Sequence, residues 1–251
     1  MTKDMTKGSP IRLILGFAFP MLLGMLFQQF YNLVDTMIVG KTLGVSALAG
    51  VGATSSINFM IIGFCMGICS GFAIPVAQQF GAGKYVFNGY VCSAVFAVVM
   101  TILSVVFCAP ILRLLNTPDD IFMHAYNYIV IIFAGIPTVF LYNIVSGIIR
   151  SLGDSKTPVY FLVLSSVINI ALDFILILYV KMGVAGAGVA TVVSQLIAGV
   201  GCTIYMYKKF DILKGTKQEK VISKKHISNL CFIGVPMGLQ YSITAIGSTI
   251  L

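Results

Sequence analysis

Long apolar runs alternate with short polar breaks along the whole chain. The runs lie near residues 13–39, 50–76, 89–112, 121–147, 158–180 and 184–207, and another opens near residue 227. Each complete run is long enough for a helix to cross a bilayer, which takes about 20 residues. The breaks contain glycine, proline, asparagine and aspartate, which favour tight turns between antiparallel neighbours. The pattern predicts an all-α polytopic membrane protein with a six-helix transmembrane bundle and a seventh transmembrane helix.

The composition excludes a water-soluble domain. Hydrophobic residues make up 58% of the chain and charged residues 10%, whereas about 25% of the residues in soluble domains are charged. So few charged side chains cannot cover a large core with a soluble surface. Lipid must therefore cover the outside, and we expect a multi-pass protein of the cell (plasma) membrane.

The net charge of +8 suggests nucleic acid as a partner only until the positions of the basic residues are considered. In a topology with a cytoplasmic N-terminus, the cytoplasmic side holds Lys3, Lys7, Arg12, Lys84, Arg150, Lys156, Lys208, Lys209, Lys214, Lys217, Lys220, Lys224 and Lys225, and the outside holds Lys41, Arg113 and Lys181. This split follows the positive-inside rule. It predicts a cytoplasmic N-terminus, a basic cytoplasmic linker over residues 208–226 and no nucleic-acid partner.

A faint internal repeat divides the chain. Residues 17–23 open the first span with FAFPMLL and residues 233–239 open the seventh with IGVPMGL, an offset of 216 residues. Six spans precede the second copy, so it starts in the orientation of the first, as in transporters built from parallel repeats. We therefore expect an N-terminal six-helix bundle at 1–207, the linker at 208–226, and the first helix of a truncated second bundle at 227–251.

Two of the eight acidic residues, Asp35 and Asp173, lie inside predicted spans. An aspartate near the middle of a membrane helix costs about 2.5 to 3.5 kcal/mol on insertion scales, so such residues are functional-site candidates. The alternative is a structural acid that is hydrogen-bonded between helices.

Polar neighbours at helical spacing favour a functional site. They are Gln28, Tyr31, Asn32 and Asp35 in the first span, Asn169 and Asp173 in the fifth, and Thr191 and Gln195 in the sixth. Residues three or four positions apart share one helical face, so three helices each present a polar stripe that should avoid lipid. At about 1.5 Å per helical residue, the stripes lie in the outer half of the membrane.

The stripes supply the oxygen donors of a cation site. Two carboxylates, an amide oxygen and a hydroxyl suit a small hard cation such as Na⁺, and two neighbouring carboxylates can equally share a proton. The predicted ligands of this coupling ion are Asp35, Asn169, Asp173 and Thr191. The predicted cavity-lining residues are Gln28, Tyr31, Asn32 and Gln195. We expect no other cofactor.

Other residues with possible roles are interpreted more simply. Pro20 removes one backbone hydrogen bond early in the first helix, and is either a helix irregularity or a gating hinge. The six cysteines, at 65, 69, 92, 108, 202 and 231, form no CxxC pair and are interpreted as small packing residues. His124, beside Tyr126 and Tyr128, is interpreted as interfacial. No nucleophile and base stand at catalytic spacing, so an enzyme is not predicted.

Three segments stand out as motifs. They are Pro20 with QQFYNLVDT at residues 28–36, QFGAG at 79–83, and GIIRSLGDSKTP at 147–158. Together they resemble the multidrug and toxic compound extrusion (MATE) transporters, particularly the bacterial sodium- or proton-coupled branch. The resemblance implies a cation site built from an aspartate of the first helix, an asparagine and an aspartate four apart in the fifth, and a threonine in the sixth. The four predicted ligands match this set in type, order and spacing.

The resemblance also implies an activity. Ion binding would bend the first helix at a hinge, here Pro20, and drive the export of small organic cations or amphipathic drugs by antiport, which is multidrug or xenobiotic efflux. MATE transporters have twelve spans in two six-helix bundles with the drug cavity between them. This chain is therefore expected to be a truncated form that needs a second bundle or a dimer partner for transport.

Two alternatives to a cation-coupled exporter stay open. The first is a non-transporting fragment or interaction protein, because the sequence holds only the start of a second bundle. The second is a flippase for lipid-linked saccharides with related architecture. A flippase should line its cavity with arginines that hold pyrophosphate, and no arginine lies well inside a predicted span.

Overall fold

The computed structural model describes residues 9–78, 83–210 and 221–250. Its helices are α1 (Pro10–Leu43), α2 (Val45–Gln78), α3 (Gly83–Leu114), α4 (Asp119–Ala134), α5 (Ile136–Ser151), α6 (Lys156–Asp173), α7 (Val184–Lys209) and α8 (Lys224–Ile250). A π-helix, Phe174–Tyr179, continues α6 directly. Some sequence predictions lie outside the described residues, namely those on Lys3, Lys7, Lys214, Lys217, Lys220, Leu251 and most of the segment 79–83.

The helices confirm an all-α membrane protein. Five of them are long and apolar enough to cross a membrane: α1, α2, α3, α6 with its π-helix, and α7. The pair α4 and α5 passes the same test as one bent span, which makes six among the described residues. The predicted seventh segment forms a helix, α8, which begins at Lys224 but is not among the helices that pass this test, so its crossing of the membrane stays a prediction.

The fourth predicted span, 121–147, is broken in the structure. It forms α4 and α5, which meet at Gly135 with a bend of 46°. Pro137 lies in the first turn of α5 and has no backbone N–H to extend the hydrogen bonds of α4. A Cβ at Gly135 would overlap the side chain of Val192 on α7. Proline therefore causes the bend, and glycine lets α7 pack against it.

The core lies around α2. More than half of its most apolar stretch is buried, and it packs against α4, α5 and α8. Ile68 and Phe72 on α2 and Ile144 and Ile148 on α5 are fully buried. By contrast, the outer faces of α1 and α3 expose large apolar side chains. Those faces suit contact with lipid, because membrane helices satisfy their backbone hydrogen bonds internally.

The connections define two ends of the bundle. One end, which we call the basic end, holds the connections from α2 to α3, from α5 to α6 and from α7 to α8, with Lys84, Lys156, Lys208, Lys209 and Lys224. The opposite end holds the connections from α1 to α2, from α3 to α4 and from the π-helix to α7. The two ends therefore differ in charge as the sequence predicts.

The motif at residues 147–158 forms the connection between α5 and α6. Gly153 has a φ of +86°, a left-handed conformation that glycine adopts without strain. Asp154 accepts hydrogen bonds from the backbone N–H of Lys156 (3.2 Å) and Thr157 (3.0 Å), and from the Thr157 hydroxyl (2.8 Å). These N–H groups belong to the first turn of α6, which has no helical partner for them. The hydroxyl of Tyr205 on α7 donates to the same carboxylate at 3.1 Å, so three helices meet at this connection.

Candidate cation site

Three helices bring the predicted ligands together. α1 packs against α6, and α6 packs against α7. Gly24 allows the first contact, because a Cβ there would lie 3.2 Å from the side chain of Val159 on α6. Asp35 on α1 is 8% exposed, while Asn169 and Asp173 on α6 are 1% and 0% exposed. The site is therefore shielded from the surface and lies closer to the opposite end than to the basic end.

The two carboxyl groups meet at the centre of this site. The carboxyl groups of Asp35 and Asp173 lie close enough to interact directly. Two ionised carboxylates at this separation repel one another strongly, because little water is present to screen them. The pair therefore needs a shared proton or a bound cation to compensate its charge.

An amide and a hydroxyl stand beside the carboxyl groups. The side-chain amide of Asn169 donates from Nδ2 to Oγ1 of Thr191 at 3.4 Å. The Thr191 hydroxyl in turn donates to the backbone carbonyl of Ala187, one turn earlier on α7, at 3.0 Å. These two bonds use the hydroxyl hydrogen of Thr191 and one of the two amide hydrogens of Asn169, while the carbonyl oxygen of Asn169 has no donor and remains available as an acceptor.

Four buried acceptor atoms at this site have no hydrogen-bond donor. They are Oδ1 of Asp35, Oδ1 of Asn169, and both carboxylate oxygens of Asp173. Buried polar atoms are rarely left unpaired, since each costs about 1–3 kcal/mol. A cluster of acceptors without donors is complementary to a cation or a proton rather than to another acceptor.

The donor set fits a hard cation. Carboxylate, amide and hydroxyl oxygens suit an alkali or alkaline-earth ion better than a transition metal. Across the described ranges no group of three or more His, Cys, Asp or Glu residues could hold a metal ion. The site thus offers only two carboxylates, and its other oxygens are neutral, which matches a singly charged ion better than a divalent one.

The predicted cavity residues divide into two groups. Tyr31 lies near Asp35, Asp173 and Gln28. Asn32 is exposed instead, and its amide donates to Gln29 at 3.3 Å. Gln195 is half-buried on α7, one turn beyond Thr191. Pro20 lies in an uninterrupted α1.

Tyr128, to which the sequence pattern assigns no role, is a neighbour of the site. It is 8% exposed, on α4, and lies near Asp35, Tyr31 and Asp173. The spacing of α4 contains the signal that could have found it. Ile121, Ala125, Tyr128, Ile129 and Ile132 recur on the buried face of this helix, so Tyr128 points inward with them.

A π-helix begins directly after Asp173. Its bonds include Val180 N–H to the carbonyl of Ile175 at 3.0 Å. Gly186 on α7 packs against this turn, where a Cβ would lie 3.2 Å from Leu176. Single π-helical turns within α-helices are frequent at functional sites. Here the turn adjoins the most buried carboxylate of the site.

Comparison with known proteins identifies the family. A family model described as MatE matches residues 20–175. The chain belongs to this family. The matched range contains three of the four predicted ligands, while Thr191 lies beyond it.

Individual MatE-family relatives agree with this assignment. The probable multidrug resistance protein YoeA of Bacillus subtilis is 33% identical, and the match covers 98% of this chain and 56% of YoeA. The probable multidrug resistance protein NorM of Halalkalibacterium halodurans is 26% identical over 90% of this chain and 52% of NorM. The chain therefore spans about half the length of these relatives.

Solved structures show the same fold. An outward-facing multidrug resistance MATE family transporter of the MOP superfamily matches with a TM-score of 0.86 at 25% identity, over 96% of this chain and 55% of the other. An inward-facing conformation matches with a TM-score of 0.81 at 26% identity, over 93% and 55%. The predicted MATE-type bundle is thereby confirmed.

Proposed function

We propose that this chain carries the ion-binding half of a cation-coupled multidrug exporter. In this proposal the predicted ligands Asp35, Asn169, Asp173 and Thr191 bind the coupling ion, Na⁺ or H⁺. The observation that carries it is the cluster of four buried acceptor atoms without donors. Such a cluster is unfavourable when empty, so binding of a cation releases free energy that can drive another step.

Competition between the two ions follows from the carboxyl pair. A proton shared by Asp35 and Asp173 removes one negative charge, and Na⁺ bound between them compensates the same charge. Both cannot occupy the pair fully at once. Coupling then consists of exchanging one cation for the other, or for an organic cation, as the accessible side of the membrane changes.

The cargo and the orientation are part of the same proposal. The relatives are named as multidrug resistance proteins, which supports export of small organic cations or amphipathic compounds. Under the positive-inside rule the basic end faces the cytoplasm. The N-terminus then lies on the cytoplasmic side of the cell membrane. Transport uses a second bundle in addition to α1–α7, since the relatives are nearly twice as long as this chain. That bundle comes from further polypeptide, a second copy or a partner.

Sodium binding to the purified chain tests the ion site. The measurement is equilibrium binding of radioactive Na⁺, with parent protein, Asp35→Asn and Asp173→Asn. Each variant should lose affinity by a factor of ten or more, which corresponds to about 1.4 kcal/mol. Gln29→Ala removes an exposed polar group of the same helix and should bind as the parent does.

Proton competition completes the test. Binding of Na⁺ to the parent should weaken as the pH falls, because protons compete for the same oxygens. Equal Na⁺ affinity in the parent, Asp35→Asn and Asp173→Asn would end the site assignment. So would a parent that neither binds Na⁺ nor takes up a proton at Asp35 and Asp173 by infrared titration of the carboxyl bands.

A further inference from the structure

A pocket lies between α3 and α8 at the basic end, away from the cation site. Its volume is about 510 Å³, and its lining residues are Tyr85, Lys225, Ser228, Asn229 and Phe232. Tyr85 lies in the first turn of α3, and the other four residues lie on α8. Their spacing of three and four residues places those four on one helical face. The pocket is therefore a groove between one face of α8 and the start of α3.

Contacts within the protein fix the two walls of this groove against each other. The rings of Tyr85 and His226 meet edge to face, with their centroids 4.5 Å apart. The side-chain amide of Asn229 donates to the Tyr85 hydroxyl at 3.2 Å. One turn further along α3, the fully buried Asn88 binds the backbone of residues 221–223, with bonds of 3.1 and 3.0 Å. The shape of the groove is thus set before any ligand binds.

The polar groups of the pocket are mostly hydrogen-bond donors. Lys225 contributes an ammonium group and Ser228 a hydroxyl, and none of the five lining residues is acidic. Tyr85 is only 8% exposed, and its hydroxyl accepts the bond from Asn229 but has no acceptor for its own hydrogen among the described residues. Buried donors are rarely left unpaired. The pocket therefore lacks a negatively charged group that accepts hydrogen bonds, as a phosphate does.

The position of the pocket favours a phospholipid over a soluble anion. Tyr85 lies at the edge of the membrane, because α3 is long and apolar enough to cross it from Lys84 onwards. Phe232 is 81% exposed and lies about 10 Å beyond Lys225 along α8. A cation is thus followed by an apolar surface, in the order of the phosphate and the acyl chains of a lipid. Basic pockets between membrane helices on the cytoplasmic side bind anionic headgroups in this way.

We propose that this pocket binds the headgroup of one anionic phospholipid from the leaflet at the basic end. The phosphate accepts hydrogen bonds from Lys225, Ser228 and the Tyr85 hydroxyl, and an acyl chain lies along Phe232. The bound lipid joins the start of α8 to the start of α3. None of these residues belongs to the cation site, so this inference does not rest on the proposed function.

Native mass spectrometry of the full chain, released from detergent micelles with added lipid, tests the pocket. Phosphatidylglycerol and phosphatidylcholine with identical acyl chains are compared. Both contain a phosphate, but only phosphatidylglycerol has a net negative charge. The parent protein should bind its first molecule of phosphatidylglycerol about fivefold more tightly than phosphatidylcholine, since a lysine near an anionic headgroup contributes about this factor.

Substitutions separate the pocket from a general attraction to basic residues. Lys225→Gln should weaken the binding of phosphatidylglycerol about fivefold. Lys224→Gln is the matched control, because Lys224 is also exposed and lies in the same turn of α8 but does not line the pocket. It should bind as the parent does. Tyr85→Phe keeps the ring against His226 and removes only the hydroxyl, and it should weaken binding about threefold.

Three results would overturn the lipid site. One is equal affinity of the parent for the two lipids. Another is an equal loss in Lys224→Gln and Lys225→Gln, since binding would then follow net charge alone. The third is displacement of the lipid by an equal concentration of glycerol 3-phosphate, which would indicate a site for soluble phosphate. Lys225→Gln should bind Na⁺ as the parent does, and Asp173→Asn should bind phosphatidylglycerol as the parent does, so the two proposals fail separately.

Discussion

The carboxylate of Asp154 offers a direct test of how the basic end is held together. It accepts four hydrogen bonds, three from the first turn of α6 and one from Tyr205 on α7. Asp154→Ala removes all four acceptor contacts. Asp154→Asn keeps an acceptor for the helix N–H groups but removes the charge. Tyr205→Phe removes only the bond from α7.

The expected cost follows from these bonds. A hydrogen bond to a charged group contributes about 1.5–3 kcal/mol, and an N-terminal helix cap about 0.5–2 kcal/mol. These values are not additive for one side chain, and Asp154 is only half-buried, so solvent weakens each bond. We expect a loss of unfolding free energy of about 2 kcal/mol for Asp154→Ala and about 1 kcal/mol for Tyr205→Phe.

The cost should depend on pH. Burial by itself raises the pKa of the Asp154 carboxyl, but hydrogen bonds from Thr157, Tyr205 and Lys156 outweigh it and hold the pKa below its usual range. In the unfolded chain an aspartate titrates near pH 3.9. The folded-state pKa is lower, so the stabilisation is complete above about pH 4 and disappears as the pH falls through the folded-state pKa.

The assay is reversible unfolding in detergent micelles, followed by circular dichroism at neutral and acidic pH. Other carboxylates titrate in the same range, so the informative quantity is the difference between parent and Asp154→Asn. That difference should shrink as the pH falls below about 4. A difference that is already within about 0.3 kcal/mol at neutral pH, or one that persists unchanged in acid, would refute the role given to this carboxylate.

Two further predictions concern α8 and the cysteines. Asn88 on α3 accepts from the N–H of Ser223 and donates to the carbonyl of Val221, so Asn88→Ala should destabilise the chain by about 1–3 kcal/mol and speed protease cleavage at residues 221–223. Asn229→Ala loses only a 3.2 Å bond to Tyr85 and should be cleaved at the parent's rate. Equal cleavage rates in the parent and both variants would show that Asn88 does not hold residues 221–223. Cys231 is half-buried and the other five cysteines are buried, so N-ethylmaleimide should modify Cys231 first in the folded protein. If mass spectrometry shows another cysteine modified first, the packing of α8 described here is wrong.

The membrane spans were predictable from sequence because a bilayer imposes a simple requirement. Every backbone polar group within it must be paired, so each span is one long apolar segment, and hydropathy alone reveals it. The same requirement made Asp35 and Asp173 conspicuous, since a charge in such a segment needs a specific reason. Helical spacing then indicated that Asn169 shares a face with Asp173, and the structure places these three side chains together.

Features that depend on distant parts of the chain were not predictable in the same way. Hydropathy does not reveal the break at Gly135, because the residues on both sides of it are apolar. The close contact of Gly135 with the side chain of Val192 exists only after α7 has packed.

Spacing within α4 places Tyr128 on the buried face of that helix, but it does not tell which residues of other helices this face meets, so the position of Tyr128 near Asp35 and Asp173 was not predictable. The contact between Gly71 on α2 and Gly234 on α8 joins residues that are far apart in sequence.

The central position of α2 has a consequence for the biosynthesis of this protein. α2 enters the membrane early, yet its face with Gly67 and Gly71 packs against Met237 and Gly234 of α8, which are made about 165 residues later. At about 5–20 residues per second, translation leaves that face uncovered for roughly 8–33 s. Lipid must occupy it during this time and leave when α8 arrives. Packing of α8 against α2 is therefore a late step of assembly, in which a helix replaces lipid on a bare backbone surface.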